Sequence, residues 1–290
     1  MARNTHPPKD IMHENAQMGR FTPGELPDYK YHALPHTSRS DLNLILRSPQ
    51  HYRQAKKGFG TETTPAMAFG SACHRAVLEP GLGGIVERPA DLSRRGKANR
   101  EEYEAWMEEH AGQIILSPPD ARRVEAIGEA IDQCPAAKSL LDAEREYSYL
   151  WRDEVTGMAC RCRPDAFNPE TGIIADLKTT ADCTQFGRSI YRYNYFMQAA
   201  WYLDGVNNTF EQMGSSCRAR AFAFVAIEKT APFGVLAAVL DEEDIKRGRQ
   251  AYQRAQKRLA WCLKNDQWPG YSAKVQQVSL PQWARREHDN

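Results

Sequence analysis

The sequence predicts an α/β fold: one central mixed β-sheet flanked by helices, with helical additions on its N-terminal side. Three observations lead there. Apolar residues recur at helical spacing through most of residues 37–135. Between Glu144 and Thr179 the period shortens to alternating runs separated by "DEVTG" and "NPETG", the composition of hairpin turns. Beyond that point a long helical stretch, further apolar strands and a charged helix complete the pattern of a layered domain.

Taken in order, residues 1–36 hold five of the 17 prolines and little apolar periodicity, which predicts a flexible or surface-draped arm. In "TSRSDLNLILRSPQHYRQAKKG", Ser38 or Ser40 can cap a helix, Leu42, Ile45 and Leu46 share a face, and Pro49 restarts the chain as a second helix. A Gly/Thr-rich loop to Pro65 leads into "MAFGSACHRAVLEP", a helix with His74 near its middle. "KANREEYEAWMEEHAG" and "SPPDARRVEAIGEAIDQCP" read as amphipathic helices, the second opened by Pro118 and Pro119 and closed by Pro135. Three antiparallel-capable strands follow over Glu144 to Thr179. A long helix around "RSIYRYNYFMQAAWYLDG", strands "ARAFAFVAI" and "FGVLAAVL", and a charged helix from Asp241 complete the main body. Residues 37–270 are read as a single domain and 271–290 as an irregular tail.

Composition narrows the function classes. With 41% hydrophobic and 10% aromatic residues, the 290-residue chain can build a full core. It has no apolar run of the roughly 18 residues a membrane span needs, and "MARNTHPPKDIMHENAQ" lacks the apolar segment of a secretory signal, so a cytoplasmic location is expected. The 7 cysteines form no C-x2-C pair, which argues against zinc and against an iron–sulfur cluster. Nothing resembles G-x4-GK[ST], so ATP use is not expected. A net charge of +1 means that any nucleic-acid surface must be local.

The informative stretch is "GIIADLKTT", Gly172 to Thr180. Alternation puts Ile174, Asp176 and Lys178 on one face, and Ile173, Ala175 and Leu177 on the other. In the preceding run, Met158, Cys160 and Cys162 make the apolar face; Arg161, Arg163 and Asp165 share the polar face if alternation runs through Pro164. If "NPETG" pairs these strands, Asp165 comes near Asp176. Glu146 offers a third carboxylate; Glu144 competes with it, since a two-residue shift keeps the same face. Carboxylates so close repel, and a hard divalent cation such as Mg²⁺ relieves that repulsion while binding phosphate oxygens. Acids, metal and Lys178 together suit phosphodiester hydrolysis.

The pattern Arg163-Pro164-Asp165 followed by Asp176-Leu177-Lys178 resembles the PD-(D/E)xK nucleases. More closely, an ordered set resembles the RecE (exonuclease VIII) group of phage recombination exonucleases: "SRSDLNLILRSPQHY", "FGSACHRAVLEP", "EYSYLW" before "TGMACRCRPD", "DLKTT" and "QAAWYLDG", spanning about Thr37 to Leu263. The resemblance implies a restriction-endonuclease-like core. It implies metal ligation by His74, Glu146, Asp165, Asp176 and the Leu177 carbonyl, with Mg²⁺ as cofactor and Mn²⁺ as a substitute, and Lys178 as the catalytic lysine. Glu146 is favoured over Glu144 here because it stands five residues before Trp151. Gln198 and Tyr202 match a Q-x3-Y element on one helix face and would lie along DNA, with Arg161 and Arg163 as phosphate contacts.

What the resemblance implies about activity is a 5′-to-3′ exonuclease on double-stranded DNA ends, leaving 3′ single strands for an annealing protein. Its closest members form rings, trimeric or tetrameric, in the cytoplasm of bacterial or phage-infected cells. An endonuclease on the same core and a non-catalytic DNA-binding assembly module are the rival readings; the intact Asp165, Asp176 and Lys178 argue against the second.

Overall fold

The computed structural model describes residues 16–60, 64–92 and 95–280, so residues 1–15 of the expected arm, 61–63 of the Gly/Thr-rich loop and 281–290 of the expected tail lie outside the described residues. In chain order the elements are β1 (Gly19–Phe21), α1 (Asp28–Ala33), α2 (Arg39–Arg47), α3 (Pro49–Lys56), α4 (Pro65–Leu78), β2 (Ile85–Glu87), α5 (Lys97–Glu109), β3 (Ile114–Leu116), α6 (Pro118–Asp132) and α7 (Pro135–Leu141). Then come β4 (Glu144–Arg145), β5 (Ser148–Arg152), β6 (Ala159–Cys162), β7 (Ala166–Asn168), β8 (Ile173–Thr180), α8 (Phe186–Arg192), α9 (Tyr195–Gln212), β9 (Ala221–Glu228), β10 (Val235–Val239) and α10 (Glu242–Asn265). No helix among the described residues is long and apolar enough to cross a membrane.

The helix starts follow local chemistry. Ser38 caps α2 in a reciprocal capping box with Asp41, while Pro49, Pro65, Pro118 and Pro135 sit in the first turns of α3, α4, α6 and α7, where no amide donor is required. The main sheet has five strands in the order β10-β9-β8-β7-β4. It is mixed: β8 and β9 run parallel, and the other neighbours antiparallel. Side-chain alternation on β8 divides two cores. Ala175 and Leu177 pack with α4, α6 and α7 residues such as Ala72, Ile127 and Leu141, while Ile174 packs with residues of α9 and α10 such as Val206 and Ala255. Lys178 and Asp176 therefore project on the α9 side, as the alternation predicts.

The expected three-strand meander is cut twice, and this is a correction with consequences for the site. Glu146 adopts a left-handed backbone (φ 56°) between β4 and β5, and Pro164, which has no amide to donate, separates β6 from β7. At each cut the chain leaves one sheet for another: β4 and β7 belong to the main sheet, β5 and β6 to a three-stranded sheet in the order β1-β5-β6. The face expected to run from Arg161 through Arg163 to Asp165 is accordingly interrupted at Pro164. The long helix expected over residues 188–205 is likewise two helices, because Asn194 is left-handed (φ 54°).

Residues 16–36, expected as part of a flexible or surface-draped arm, are partly regular structure. β1 pairs with β5, and Leu26 and Tyr31 are buried. Tyr31 lies between two guanidiniums, with Arg161 4.8 Å and Arg163 4.1 Å from its ring centroid. The sequence shows no apolar period here because single aromatic and carbonyl groups, not a helical stripe, do the anchoring. Residues 271–280 carry no helix or strand.

Helix α9, which carries Gln198 and Tyr202, is fixed by unusually close approaches. A Cβ at Gly248 would fall 2.1 Å from the Phe196 carbonyl oxygen of α9, a backbone atom that cannot swing aside. Gly248→Ala is expected to destabilise the protein by about 1–3 kcal/mol through overpacking, measured as a lowered urea midpoint at unchanged m-value.

Candidate active site

The two cuts in the meander bring the acids together. Glu146 donates its backbone N–H to the Asp165 carbonyl (3.2 Å), so the left-handed residue and the residue after Pro164 are held side by side. From α4, His74 reaches both: Nε2 lies 2.7 Å from Asp165 Oδ2 and Nδ1 lies 3.5 Å from Glu146 Oε1. The Leu177 N–H donates to the same Asp165 Oδ2 at 2.6 Å, which ties the cluster to β8. Next along β8, the fully buried Asp176 accepts a hydrogen bond from Lys178 Nζ on one oxygen and from Gln198 Nε2 on the other.

These contacts open onto a cleft of about 980 Å³ whose lining includes His74, Glu146, Asp165, Leu177, Lys178 and Tyr202. Burial pushes the Glu146 carboxyl up to about 8, with the Asp165 charge adding to the effect. Asp176 rises to about 6 for the same two reasons, although Lys178 opposes the shift. Burial alone would lower His74, but Asp165 and then Glu146 outweigh it and carry the imidazole to about 9. Asp165 itself is held below the usual carboxylate range: burial would raise it, and His74, Lys178 and the Leu177 N–H together more than offset that. For Lys178 the burial penalty is likewise overcome by Asp176 and Asp165, and its pKa is raised. Protons and two side-chain cations thus neutralise a site too rich in carboxylates to stand alone, which is the condition a divalent cation would relieve.

The donor set fits such a cation. Ligand atoms of His74, Glu146 and Asp165 all lie within 4.8 Å of one another, and they offer carboxylate oxygens with one imidazole. Of the competing acids, Glu146 joins this group, whereas Glu144 is ion-paired with Arg20 of β1, a strand of the three-stranded sheet. Glu146→Gln is therefore expected to remove the thermal stabilisation conferred by Mg²⁺ or Mn²⁺. Glu144→Gln is expected to keep it and to lose about 1 kcal/mol or less from a half-exposed ion pair; thermal melts with and without metal separate the two.

The other expected residues take different places. Gln198 is buried with its amide on Asp176, so it orients that carboxylate from behind. Tyr202, half-buried, lines the cleft. Arg161 is buried and donates to the Tyr31 carbonyl and to the Leu34 carbonyl (3.1 Å). Arg163 donates to the Leu26 carbonyl (2.7 Å) and to Ser148 Oγ (2.9 Å). Both guanidiniums line the cleft while gripping the N-terminal segment. Two cleft residues the sequence reading does not single out are Arg39, in the first turn of α2, and Tyr195, whose ring centroid lies 5.1 Å from Lys178 Nζ. Arg39 stands within the quoted "SRSDLNLILRSPQHY", where nothing distinguishes it from a solvated helix-start cation.

A mixed sheet between helices, with an Asp after a Pro, an Asp-x-Lys on the neighbouring strand and an acid-rich cleft above them, defines the PD-(D/E)xK nuclease class of fold. Residues 38–281 match the family described as "PDDEXK-like domain of unknown function (DUF3799)", and the chain belongs to that family. In structure it is similar to a crystal structure from Eubacterium rectale described as "Putative exonuclease", with a TM-score of 0.58 at 14% identity over 86% of this chain and 92% of that one. At that identity the likeness is one of fold. Among curated proteins no sequence match is found.

Proposed function

We propose that the protein is a Mg²⁺-dependent DNA exonuclease that degrades double-stranded DNA from its ends, 5′ to 3′, and leaves a 3′ single strand. The observation that carries this reading is the convergence of His74, Glu146 and Asp165 within 4.8 Å, beside the Asp176–Lys178 pair and at the base of a wide cleft. The end preference, the polarity, a ring-shaped oligomer and a partner annealing protein rest on the likeness of the motif set to RecE-type exonucleases.

In this reading His74, Glu146, Asp165, Asp176 and the Leu177 carbonyl would hold one or two divalent cations. When bound, such a cation makes a water nucleophilic near neutral pH and offsets charge gathering on the phosphate. The chain's own residues supply the rest. Lys178, fixed by Asp176, lines the cleft as a hydrogen-bond donor that aligns the attacking water. Gln198 prevents Asp176 from rotating. Arg39 lines the same cleft, and no carboxylate among the described residues is ion-paired with it, which leaves its charge for a phosphate. The water gives up a proton to solvent as its oxygen bonds to phosphorus, the bond from phosphorus to the 3′-oxygen breaks, and the leaving oxygen takes up a proton from solvent, so that the elements of one water are added across the bond.

Digestion of one DNA sequence in linear, nicked and covalently closed circular forms tests the mode of action. Loss of the linear form alone is expected, with 5′-labelled nucleotides released first. Cutting of closed circles would instead assign an end-independent endonuclease.

A further inference from the structure

We propose that a second groove, beside the active site and floored by α8, binds a single strand of DNA through its phosphates and one stacked base. This rests on the nuclease reading for the identity of the polymer, and it goes beyond that reading in assigning residues outside the metal cluster.

The groove has a volume of about 290 Å³ and shares Thr179 and Tyr195 with the active-site cleft. Arg188 and Arg192, four residues apart on α8, and Lys229, just past β9, line it. Among the described residues none of these three cations is ion-paired with a carboxylate. Asp182 is the acidic side chain in the lining, and its Oδ1 is already taken by the N–H and hydroxyl of Thr184 at 2.7 and 2.6 Å. The groove is therefore a local cationic site in a chain of net charge +1.

Tyr193 gives it a flat apolar face. The ring is 49% exposed, yet it is held in place: Arg192 lies 5.7 Å from its centroid, Tyr195 stands 5.5 Å away, and Arg39 holds its backbone carbonyl. The left-handed Asn194 next to it turns the chain from α8 into α9 and leaves this ring at the corner. Tyr195 in turn packs under Lys178. Cations along a groove with one exposed aromatic face are what an unpaired strand recognises, since a duplex keeps its bases stacked within itself. The contact chain from Tyr193 to Lys178 places this strand next to the reacting phosphate.

The test uses full-length protein carrying Asp176→Asn, in EDTA, with fluorescence anisotropy of a labelled oligothymidine and of a blunt hairpin duplex. Tyr193→Ala is expected to weaken oligothymidine binding about tenfold, with Tyr193→Phe restoring it and hairpin binding nearly unchanged. Arg188→Ala with Arg192→Ala is expected to flatten the dependence of log K on log salt by about 1.4, for two lost phosphate contacts. Oligothymidine affinity and salt slope unchanged in these variants, with melting curves showing them folded, would overturn the assignment, as would equal losses for both probes. Hydrolysis is measured separately on protein with Asp176 intact. Absence of cleavage together with the expected binding losses would leave this groove standing and remove the nuclease reading alone.

Discussion

Asp176→Asn is expected to slow DNA hydrolysis by about 10³-fold or more and, at the same time, to raise the melting temperature of the metal-free protein at neutral pH. In the proposed mechanism the loss of rate follows from removing a charged metal ligand whose part in stabilising phosphate charge would be worth several kcal/mol, about 1.4 kcal/mol per factor of ten. The gain in stability follows from burial. Asp176 has no exposed surface, and its carboxyl is raised to about 6 from 3.8, by burial and by Asp165. A group shifted upward in this way favours folding most when protonated: its contribution is complete below about 3.8 and is lost as pH rises through about 6. Asparagine mimics the protonated form and keeps an oxygen for Gln198. The gain should therefore appear above pH 6 and vanish near pH 4, with about 2–4 °C for each kcal/mol relieved. Matched hydrolysis rates and pH-dependent melts read both halves; a variant with reduced stability at pH 8 would contradict the account of the buried charge.

Metal binding should strengthen as pH rises from 6 to 9. Glu146 and His74 are both raised, to about 8 and about 9, so in the metal-free protein their protonated forms prevail at neutral pH. Their stabilising contribution is fully present below the ordinary values of 4.5 and 6.5 and is lost as pH climbs through the raised ones. A bound cation needs Glu146 ionised and His74 neutral, so binding expels protons and its apparent affinity should rise about tenfold per pH unit for each proton released. The metal-free melting temperature should fall over the same interval while the increment given by Mg²⁺ grows. Calorimetric titration in buffers of different ionisation enthalpy counts the protons; an affinity flat across this range would rule out Glu146 and His74 as ligands.

The candidate site residues Asp176 and Lys178 were legible in the sequence because their chemistry is. An Asp-x-Lys on an otherwise apolar strand places two charges on one face, and β8 bears that out: Leu177 faces one core while Asp176 and Lys178 face the other side. The breaks were not legible. Alternation says which face a residue takes but not where a ladder stops, and neither the left-handed Glu146 nor the change of sheet at Pro164 has a periodic signature. Those breaks bring Glu146 to Asp165, which strand pairing alone would not. Helical spacing put Gln198 and Tyr202 on one face, yet it could not tell an amide packed behind Asp176 from one offered to a ligand. Residues 16–36 read as a flexible or surface-draped arm because their anchors are backbone carbonyls of Leu26, Tyr31 and Leu34, which any side chain can carry.

Release of acid-soluble nucleotides from linear duplex DNA by the purified protein, with Mg²⁺ and again with EDTA in excess, tests metal-dependent hydrolysis by this chain. Steady release is expected with Mg²⁺, none in EDTA, and recovery when Mg²⁺ is restored. No release in Mg²⁺ or Mn²⁺, or release indifferent to EDTA, would contradict the proposed function.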